Sequence, residues 1–207
     1  MNSRHFHSIA VAATIAAGLL TVPAARAQSG SWLVRVHALA LDSANKDSTG
    51  LGLSVNNKVF PEFDVSYFFT PNIAAELVLT YPQKHDIRSN GNDIGTLKHL
   101  PPTLSAQWHF TELGAFKPYV GAGLNYTRFS NVEFTPATVT ALNPSLDKSS
   151  VGLAIGAGLD YEFSKGMVFN IDIKKVQIRT DVKSSGTKVG EFKVDPLLVG
   201  VGVGWRF

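Results

Sequence analysis

The last eleven residues of the chain, Leu197–Phe207, read LLVGVGVGWRF and determine how the rest of the sequence is interpreted. From Val199 to Trp205, apolar residues alternate strictly with glycine. A period of two is that of a β-strand, whose successive side chains point to opposite faces of a sheet. The ending therefore predicts a strand with one apolar face and a second face that consists mainly of glycine before Arg206. Apolar surroundings on the first face and a crowded interior on the second would both favour this pattern.

The composition limits the classes of protein to consider. Hydrophobic residues make up 44% of the 207 residues and charged residues only 17%, which is apolar for a soluble protein. Without the two arginines of the first 27 residues, 17 Lys and Arg face 16 Asp and Glu, so no basic nucleic-acid surface is indicated. Cysteine is absent, which excludes disulfides, thiol nucleophiles and thiolate metal sites.

The N-terminus has the pattern of a secretory signal peptide. A short basic start precedes an apolar run from Ile9 to Leu20, and the small-residue triplet Ala25-Arg26-Ala27 follows. The run is shorter than the roughly 20 residues that cross a bilayer as a helix, which disfavours an N-terminal anchor. We expect a signal peptide over 1–27, cleavage after Ala27, and a mature domain over 28–207.

Eight segments after residue 28 alternate apolar with small or polar residues. They cover 31–41, 58–69, 72–81, 99–110, 117–129, 148–163, 166–179 and 192–207. The connections at Thr70, Thr111 and Ser164 are short, whereas those at 42–57, 82–98, 130–147 and 180–191 are long and polar. Short turns at one end and long loops at the other predict an all-β, eight-stranded antiparallel up-and-down transmembrane β-barrel in the bacterial outer membrane.

The apolar face of these segments could line a soluble ligand-binding barrel or face lipid outside a membrane barrel. Aromatic residues decide between the two, because an interfacial girdle needs amphipathic rings at one depth and a ligand cavity does not. At the short-turn end the apolar face carries Trp32, Tyr67, Phe69, Trp108, Phe110, Tyr161, Phe163, Phe169, Trp205 and Phe207. The apolar face is therefore expected to contact lipid, and the polar and glycine face to enclose the lumen.

Three segments carry a family resemblance. LPPTLSAQWHF from Leu100, KPYVGAGLNYTRF from Lys117 and GAGLDYEF from Gly156 resemble the OmpW family of outer-membrane proteins, and the resemblance covers essentially the whole mature chain. It implies a channel for hydrophobic molecules with lateral release into the bilayer. The terminal Phe207 resembles the signal by which outer-membrane barrels are recognised, which implies the assembly machinery as a partner beside the membrane lipid.

The residues predicted to point inward change character along the barrel. Towards the short turns they form a polar plug: Arg35, His37, Asp64, Glu76, Gln107, His109, Asp160, Glu162, Asp172 and Arg206. Towards the long loops they are apolar: Leu39, Leu41, Phe60, Val78, Phe129, Val194 and Leu198. Eight strands enclose room for side chains or one small ligand, so a general porin is disfavoured. The apolar set is either a lining for small hydrophobic molecules or ordinary packing beneath the loops.

Pro101 and Pro102 are candidates for a lateral gap. Neither has an N–H, so the ladder between the third and fourth segments cannot close fully there. The alternative is that two prolines simply begin a strand.

The function we expect is passive uptake, which needs no cofactor and no metal. Two other functions remain as alternatives. One is a structural or adhesive barrel, similar to OmpX-like proteins, whose loops bind partners. The other is an enzyme at the outer rim, for which His85, Asp86, Asp93 and His99 are the candidates. No nucleophile motif or metal-binding histidine pair accompanies these residues, so we expect no enzymatic activity.

Overall fold

The computed structural model describes residues 31–207, so the predicted signal peptide lies outside the described residues. The chain forms fifteen strands and one helix over this range. The strands are β1 (Trp32–Asp42), β2 (Lys46–Asp47), β3 (Leu53–Val55), β4 (Lys58–Phe68), β5 (Ile73–Leu79), β6 (Gln83–Ser89), β7 (Asn92–Leu100), β8 (Thr103–His109), β9 (Phe116–Phe134), β10 (Pro144–Leu146), β11 (Ser149–Ser164), β12 (Met167–Val176), β13 (Arg179–Ser184), β14 (Thr187–Lys193) and β15 (Leu197–Arg206), and the helix is α1 (Pro136–Leu142).

Eight antiparallel strands close into a barrel, which confirms the predicted fold class. The order is β11-β12-β15-β1-β4-β5-β8-β9, and pairing of β9 with β11 completes the circle. The first and last strands, β1 and β15, are neighbours in this circle. At their ends, the backbones of Trp32 and Phe207 donate a hydrogen bond of 2.9 Å to each other. Closure gives each of the eight strands a neighbour on both sides, as a lipid environment requires.

The register explains the alternation at the C-terminus. Val36 lies opposite Val203 on the outside, and His37 lies opposite Gly202 on the inside. The outward apolar side chains are exposed, Trp205 by 43% for example, whereas the inward polar ones are buried. Glycine at 202 is required because an added Cβ would collide with the carbonyl of Val36 and the ring of His37.

The barrel wall extends beyond the membrane on the long-loop side. Strand β9 leaves β8 and pairs higher up with β7, which continues through β6 to β3. A second sheet of order β10-β13-β14-β2 completes this extracellular extension. The outward residues Lys84, Lys98 and Arg128 begin its polar outer surface.

The extension corrects the prediction of four long polar loops. The connections contain short strands whose inward residues are apolar and buried, and these share one hydrophobic cluster with the top of the barrel. Its members from the extension include Leu53, Val55, Ile87, Leu97, Val182 and Phe192. Each strand is too short to show its period clearly in sequence, and the apolar face exists only after the pieces assemble.

Two of the eight predicted segments also divide at prolines. The segment 99–110 splits at Pro101 and Pro102, because β7 ends at Leu100 and β8 begins at Thr103. The segment 192–207 splits before Leu197, where β15 begins after Pro196. Proline lacks the N–H that a continuous ladder needs. The described residues include no helix of sufficient length and apolar character to cross a membrane.

Candidate functional site

An apolar cavity lies inside the upper half of the barrel. Five residues of the predicted apolar set lie on its wall, namely Leu39, Leu41, Phe60, Val78 and Leu198. Ala154, Val176 and Ile178 are further apolar residues of the lining that were not anticipated from the sequence. They come from β11, from the last residue of β12 and from the connection that follows it, where the alternation in sequence breaks.

Phe129 and Val194 have a different position from the one predicted. Both are buried, by 97% and 98%, in the hydrophobic cluster that adjoins the cavity, but neither lines its wall. The backbone of Phe129 is bonded to the carbonyl of Lys148, and that of Val194 to the carbonyl of Ile178. These contacts hold both side chains in the packing of the extracellular extension.

Arg35 closes the lumen beneath the cavity. Its side chain is fully buried and donates to both oxygens of Asp160, from Nε at 3.0 Å and from Nη2 at 2.6 Å. Nη1 donates to Ser66 at 3.1 Å and to Glu76 at 3.2 Å. One guanidinium thereby joins β1 to three other strands across the lumen and places a buried charged group in its path.

A second charged cluster lies on the cavity floor. Lys174 places its ammonium 2.5 Å from Glu62, 3.2 Å from Asp172 and 3.7 Å from Asp64. His37 completes the cluster, with Nδ1 3.1 Å from Asp64. Glu62, Asp172 and Lys174 all line the cavity, so the cluster is in contact with its contents.

The lower end of the lumen holds the remaining predicted plug residues. His109 is hydrogen-bonded to Gln107 at 3.0 Å and its ring stacks on that of Tyr119, 4.8 Å between centroids. Arg206 lies over the ring of Phe68 at 4.0 Å. Glu162 accepts a hydrogen bond from Lys117 at the rim. Glu162 and Arg206 are half-buried, whereas the other eight members of the predicted plug are buried.

Sequence reasoning missed three lumen residues, Glu62, Tyr119 and Lys174. The signal that would have found them is the same alternation, because Glu62 shares the parity of Asp64, Tyr119 that of Gly121, and Lys174 that of Asp172. All three take part in the contacts that close the lumen. Tyr119 accepts a hydrogen bond from Asn170, and Lys174 compensates the acidic floor.

The wall of the barrel is incompletely paired at Pro101 and Pro102. On one side, Tyr126 donates to the carbonyl of Pro102 at 3.0 Å, so β9 remains attached. On the other side, β5 pairs with β8 up to Val78–Thr103, and pairing resumes only at Gln83–His99 between β6 and β7. Within the described chain, no cross-strand pair joins 80–82 to the two prolines. Thr80 and Pro101 both line the cavity at this place.

The structure brings His85 and His99 together in the extracellular extension. Their buried rings stack with centroids 4.6 Å apart and planes 13° from parallel. His85 Nδ1 donates to the carbonyl of Asn56 at 2.9 Å. Burial lowers the pKa of both rings, and for His99 burial together with the neighbouring His85 lowers the pKa to about 3. A buried neutral pair of this kind has no access to a substrate in solution.

The acidic candidates of the outer rim do not join that pair in a common site. Asp93 is exposed and accepts a hydrogen bond from Arg88 at 2.7 Å. The backbone N–H of Asp86 donates to the side chain of Asn56, and its carboxylate lies on the opposite face of β6 from His85 by strand parity. The geometry therefore supplies no arrangement of base and nucleophile at the rim.

Comparisons with known proteins agree with this architecture. The model of the OmpW family matches residues 25–207. An uncharacterised outer-membrane protein, y4mB of Sinorhizobium fredii, is 39% identical over 93% of this chain and 89% of its own length. Outer membrane protein W of Vibrio cholerae is 31% identical over 93% of this chain and 96% of its own. The crystal structure of the outer membrane protein OprG from Pseudomonas aeruginosa has a TM-score of 0.75 at 25% identity, covering 87% of this chain and 97% of that one.

Proposed function

The chain belongs to the OmpW family of outer-membrane β-barrels, and we propose that it is a passive conduit through which small hydrophobic molecules enter the bilayer. The observation that carries the proposal is the apolar cavity directly above a closed, charged floor. A hydrophobic molecule gains free energy when it leaves water for apolar walls such as those of Leu41 and Phe60. No covalent chemistry and no cofactor take part in this function.

Entry from outside is supported by a second apolar cavity in the extracellular extension. It is lined by residues such as Leu53, Ile87 and Phe192, with Thr138 and Leu142 of α1. The same hydrophobic cluster contains Leu53 of this cavity and Leu41 of the lower one. We propose that the route between the two cavities runs through this cluster.

Exit is proposed to be sideways, because the floor opposes any other route. Displacing Arg35 would leave Asp160 and Glu76 buried without their cation, which is costly. The unpaired stretch at Pro101 and Pro102 instead lies in the barrel wall at the height of the cavity. We propose that the molecule leaves there, between 80–82 and the two prolines.

The test compares one substitution on the two faces of the wall. Ala154→Phe would fill part of the cavity, whereas Ala40→Phe adds the same ring to the lipid-facing surface. Uptake of a radiolabelled alkane by cells that express each variant should fall several-fold for Ala154→Phe and stay at the wild-type rate for Ala40→Phe. Equal uptake through both, at equal amounts of folded barrel, would refute transport through the cavity.

The same experiment separates transport from the partner-binding alternative. A barrel whose extracellular extension binds partners would keep its phenotype in Ala154→Phe and lose it when the segment 135–143, which includes α1, is replaced by a short flexible linker. The ordered second sheet and α1 give that alternative a surface to use.

A further inference from the structure

The cluster of His37, Glu62, Asp64 and Asp172 on the cavity floor has a feature that transport of hydrophobic molecules does not explain. One potential ligand atom from each of these buried residues lies within 4.8 Å of the others. Acidic clusters alone are common, so the argument depends on two further observations. The first is the orientation of the His37 ring, and the second is the lack of hydrogen-bond donors to the carboxylate oxygens of Asp64 and Asp172.

Asn170 fixes which nitrogen of His37 carries a proton. Its amide nitrogen donates to Asp160 Oδ1 at 2.7 Å and to the hydroxyl of Tyr119 at 3.1 Å, which turns its amide oxygen towards His37 Nε2 at 2.9 Å. An amide oxygen only accepts hydrogen bonds, so Nε2 must donate. In the neutral ring, Nδ1 then has no proton and carries a lone pair.

That lone pair is directed at carboxylate oxygens. His37 Nδ1 lies 3.1 Å from Asp64 Oδ2 and 3.8 Å from Glu62 Oε1, and it makes no hydrogen bond. Two electron-rich atoms at this separation repel each other unless a positive charge lies on or between them. A histidine that donates one ring N–H to an oriented acceptor and turns its other nitrogen to carboxylates has the arrangement of a metal ligand.

Two of the three carboxylates are left without hydrogen bonds. Glu62 accepts one from Lys174, but both oxygens of Asp64 and both oxygens of Asp172 are buried and accept none. The Asp64 side chain is 0% exposed, so water does not compensate for this. The single ammonium of Lys174, 3.2 Å from Asp172 and 3.7 Å from Asp64, is shared among three buried carboxylates and compensates their charge only in part.

The formal charges show what kind of cation would complete the cluster. Glu62, Asp64 and Asp172 supply three negative charges, and Lys174 returns one positive charge. Arg35 has no surplus positive charge to offer the cluster, because it is shared between two further carboxylates, Asp160 and Glu76. With a neutral His37, the four residues together with Lys174 carry two net negative charges, which one divalent ion would neutralise.

We propose that His37, Glu62, Asp64 and Asp172 bind a divalent metal ion that accepts carboxylate oxygens and one imidazole nitrogen, such as Mn²⁺ or Zn²⁺. The glycines opposite these side chains make space for the site. An added Cβ at Gly202 would meet the His37 ring, and one at Gly200 would lie 2.8 Å from Asp172 Oδ1. Access is from the cavity, which Glu62 and Asp172 line. The proposal is independent of whether the cavity conducts hydrophobic molecules.

Titration of the full mature barrel in detergent micelles with MnCl₂, followed by the electron paramagnetic resonance signal of free Mn²⁺, tests the site. We expect one bound ion per chain with a Kd below about 1 mM, the weak end of natural divalent-cation sites. Electron spin-echo modulation should show one imidazole nitrogen coupled to the metal. Absence of saturable binding by the folded wild type would overturn the proposal and assign the positive charge to a protonated His37.

Variants separate coordination from folding. Asp64→Asn and His37→Gln should weaken Mn²⁺ binding by at least about tenfold, and His37→Gln should also remove the nitrogen coupling. Lys174→Met should strengthen binding, because it removes a competing cation from the same carboxylates, and a folding defect could not produce that gain. Glu112→Gln, a carboxylate in an exposed turn, is the control and should bind as the wild type does. Equal affinity in all of these variants would show that the ion binds elsewhere.

Discussion

Arg35 on β1 holds Asp160 on β11 through two parallel hydrogen bonds of 3.0 and 2.6 Å, although 125 residues separate them in the chain. Both residues are buried, and Glu76 shares the same guanidinium. Planar, bidentate contacts of this kind are what arginine forms with carboxylates and lysine does not. The pair therefore fixes the distance across the lumen beneath the cavity.

Removing that guanidinium should destabilise the barrel strongly. Arg35→Met leaves Asp160 and Glu76 buried without their cation, and breaking a buried ion pair in this way costs about 3–5 kcal/mol. Guanidinium-induced unfolding in micelles, followed by tryptophan fluorescence, measures the change in the free energy of unfolding. Arg88→Met is the control, since its exposed pair with Asp93 should contribute nothing measurable. A similar midpoint for both variants would contradict the role assigned to Arg35.

Glycine substitutions in the lumen should differ according to what faces them. Gly202→Ala brings a Cβ into the backbone of Val36 and the ring of His37, whereas in Gly121→Ala the nearest atoms are 3.1 Å away. We expect Gly202→Ala to cost about 1–3 kcal/mol, as overpacking does elsewhere, and Gly121→Ala to cost clearly less. The same unfolding measurement ranks the two variants. The reverse order would mean that β1 and β15 can shift apart at little cost.

The stacked histidines should make the extracellular extension sensitive to acid. The pKa of His99 is lowered from 6.5 to about 3, so the folded chain keeps this ring neutral while the unfolded segment takes up a proton below pH 6.5. The contribution of His99 to the free energy of unfolding is therefore fully present above pH 6.5. It is lost as the pH falls below that value, at about 1.4 kcal/mol per pH unit. Between pH 7 and pH 5 this amounts to about 2 kcal/mol for His99 alone.

Hydrogen exchange over β6 and β7, compared at pH 7 and pH 5 after correction for the intrinsic rate, measures that loss. The double variant His85→Phe and His99→Phe retains two stacked rings but cannot titrate, so its protection should not depend on pH. An undiminished pH dependence in the double variant would assign the effect to other groups.

Closing the gap beside the prolines should stop uptake without changing the cavity. The chain has no cysteine, so Tyr81→Cys and Pro102→Cys introduce its only two thiols. Joining them with a short, reducible bifunctional reagent is expected to lower uptake of the labelled alkane several-fold, and reduction should restore it. Uptake that is the same before and after cross-linking would place the exit elsewhere and leave entry into the cavity untouched.

The sequence alone determined the number of strands in the barrel, the face that contacts lipid and the level at which the lumen changes from polar to apolar. These properties follow from the period of two, from the alternation of short and long connections and from the depth of the aromatic residues, all of which are local or additive along a strand. Leu39, Leu41 and Phe60 were identified in this way, and the same rule applied without gaps would have added Glu62 and Lys174.

Only the tertiary structure decided which inward residues meet one another. The pairing of Arg35 with Asp160, the stacking of His85 on His99 and the cluster around His37 each join residues from different strands, and their spacing depends on barrel closure and stagger. The short strands of the extension were hidden for the same reason. Each buries its apolar face against the others, so the stabilising surface exists only when the whole chain has folded.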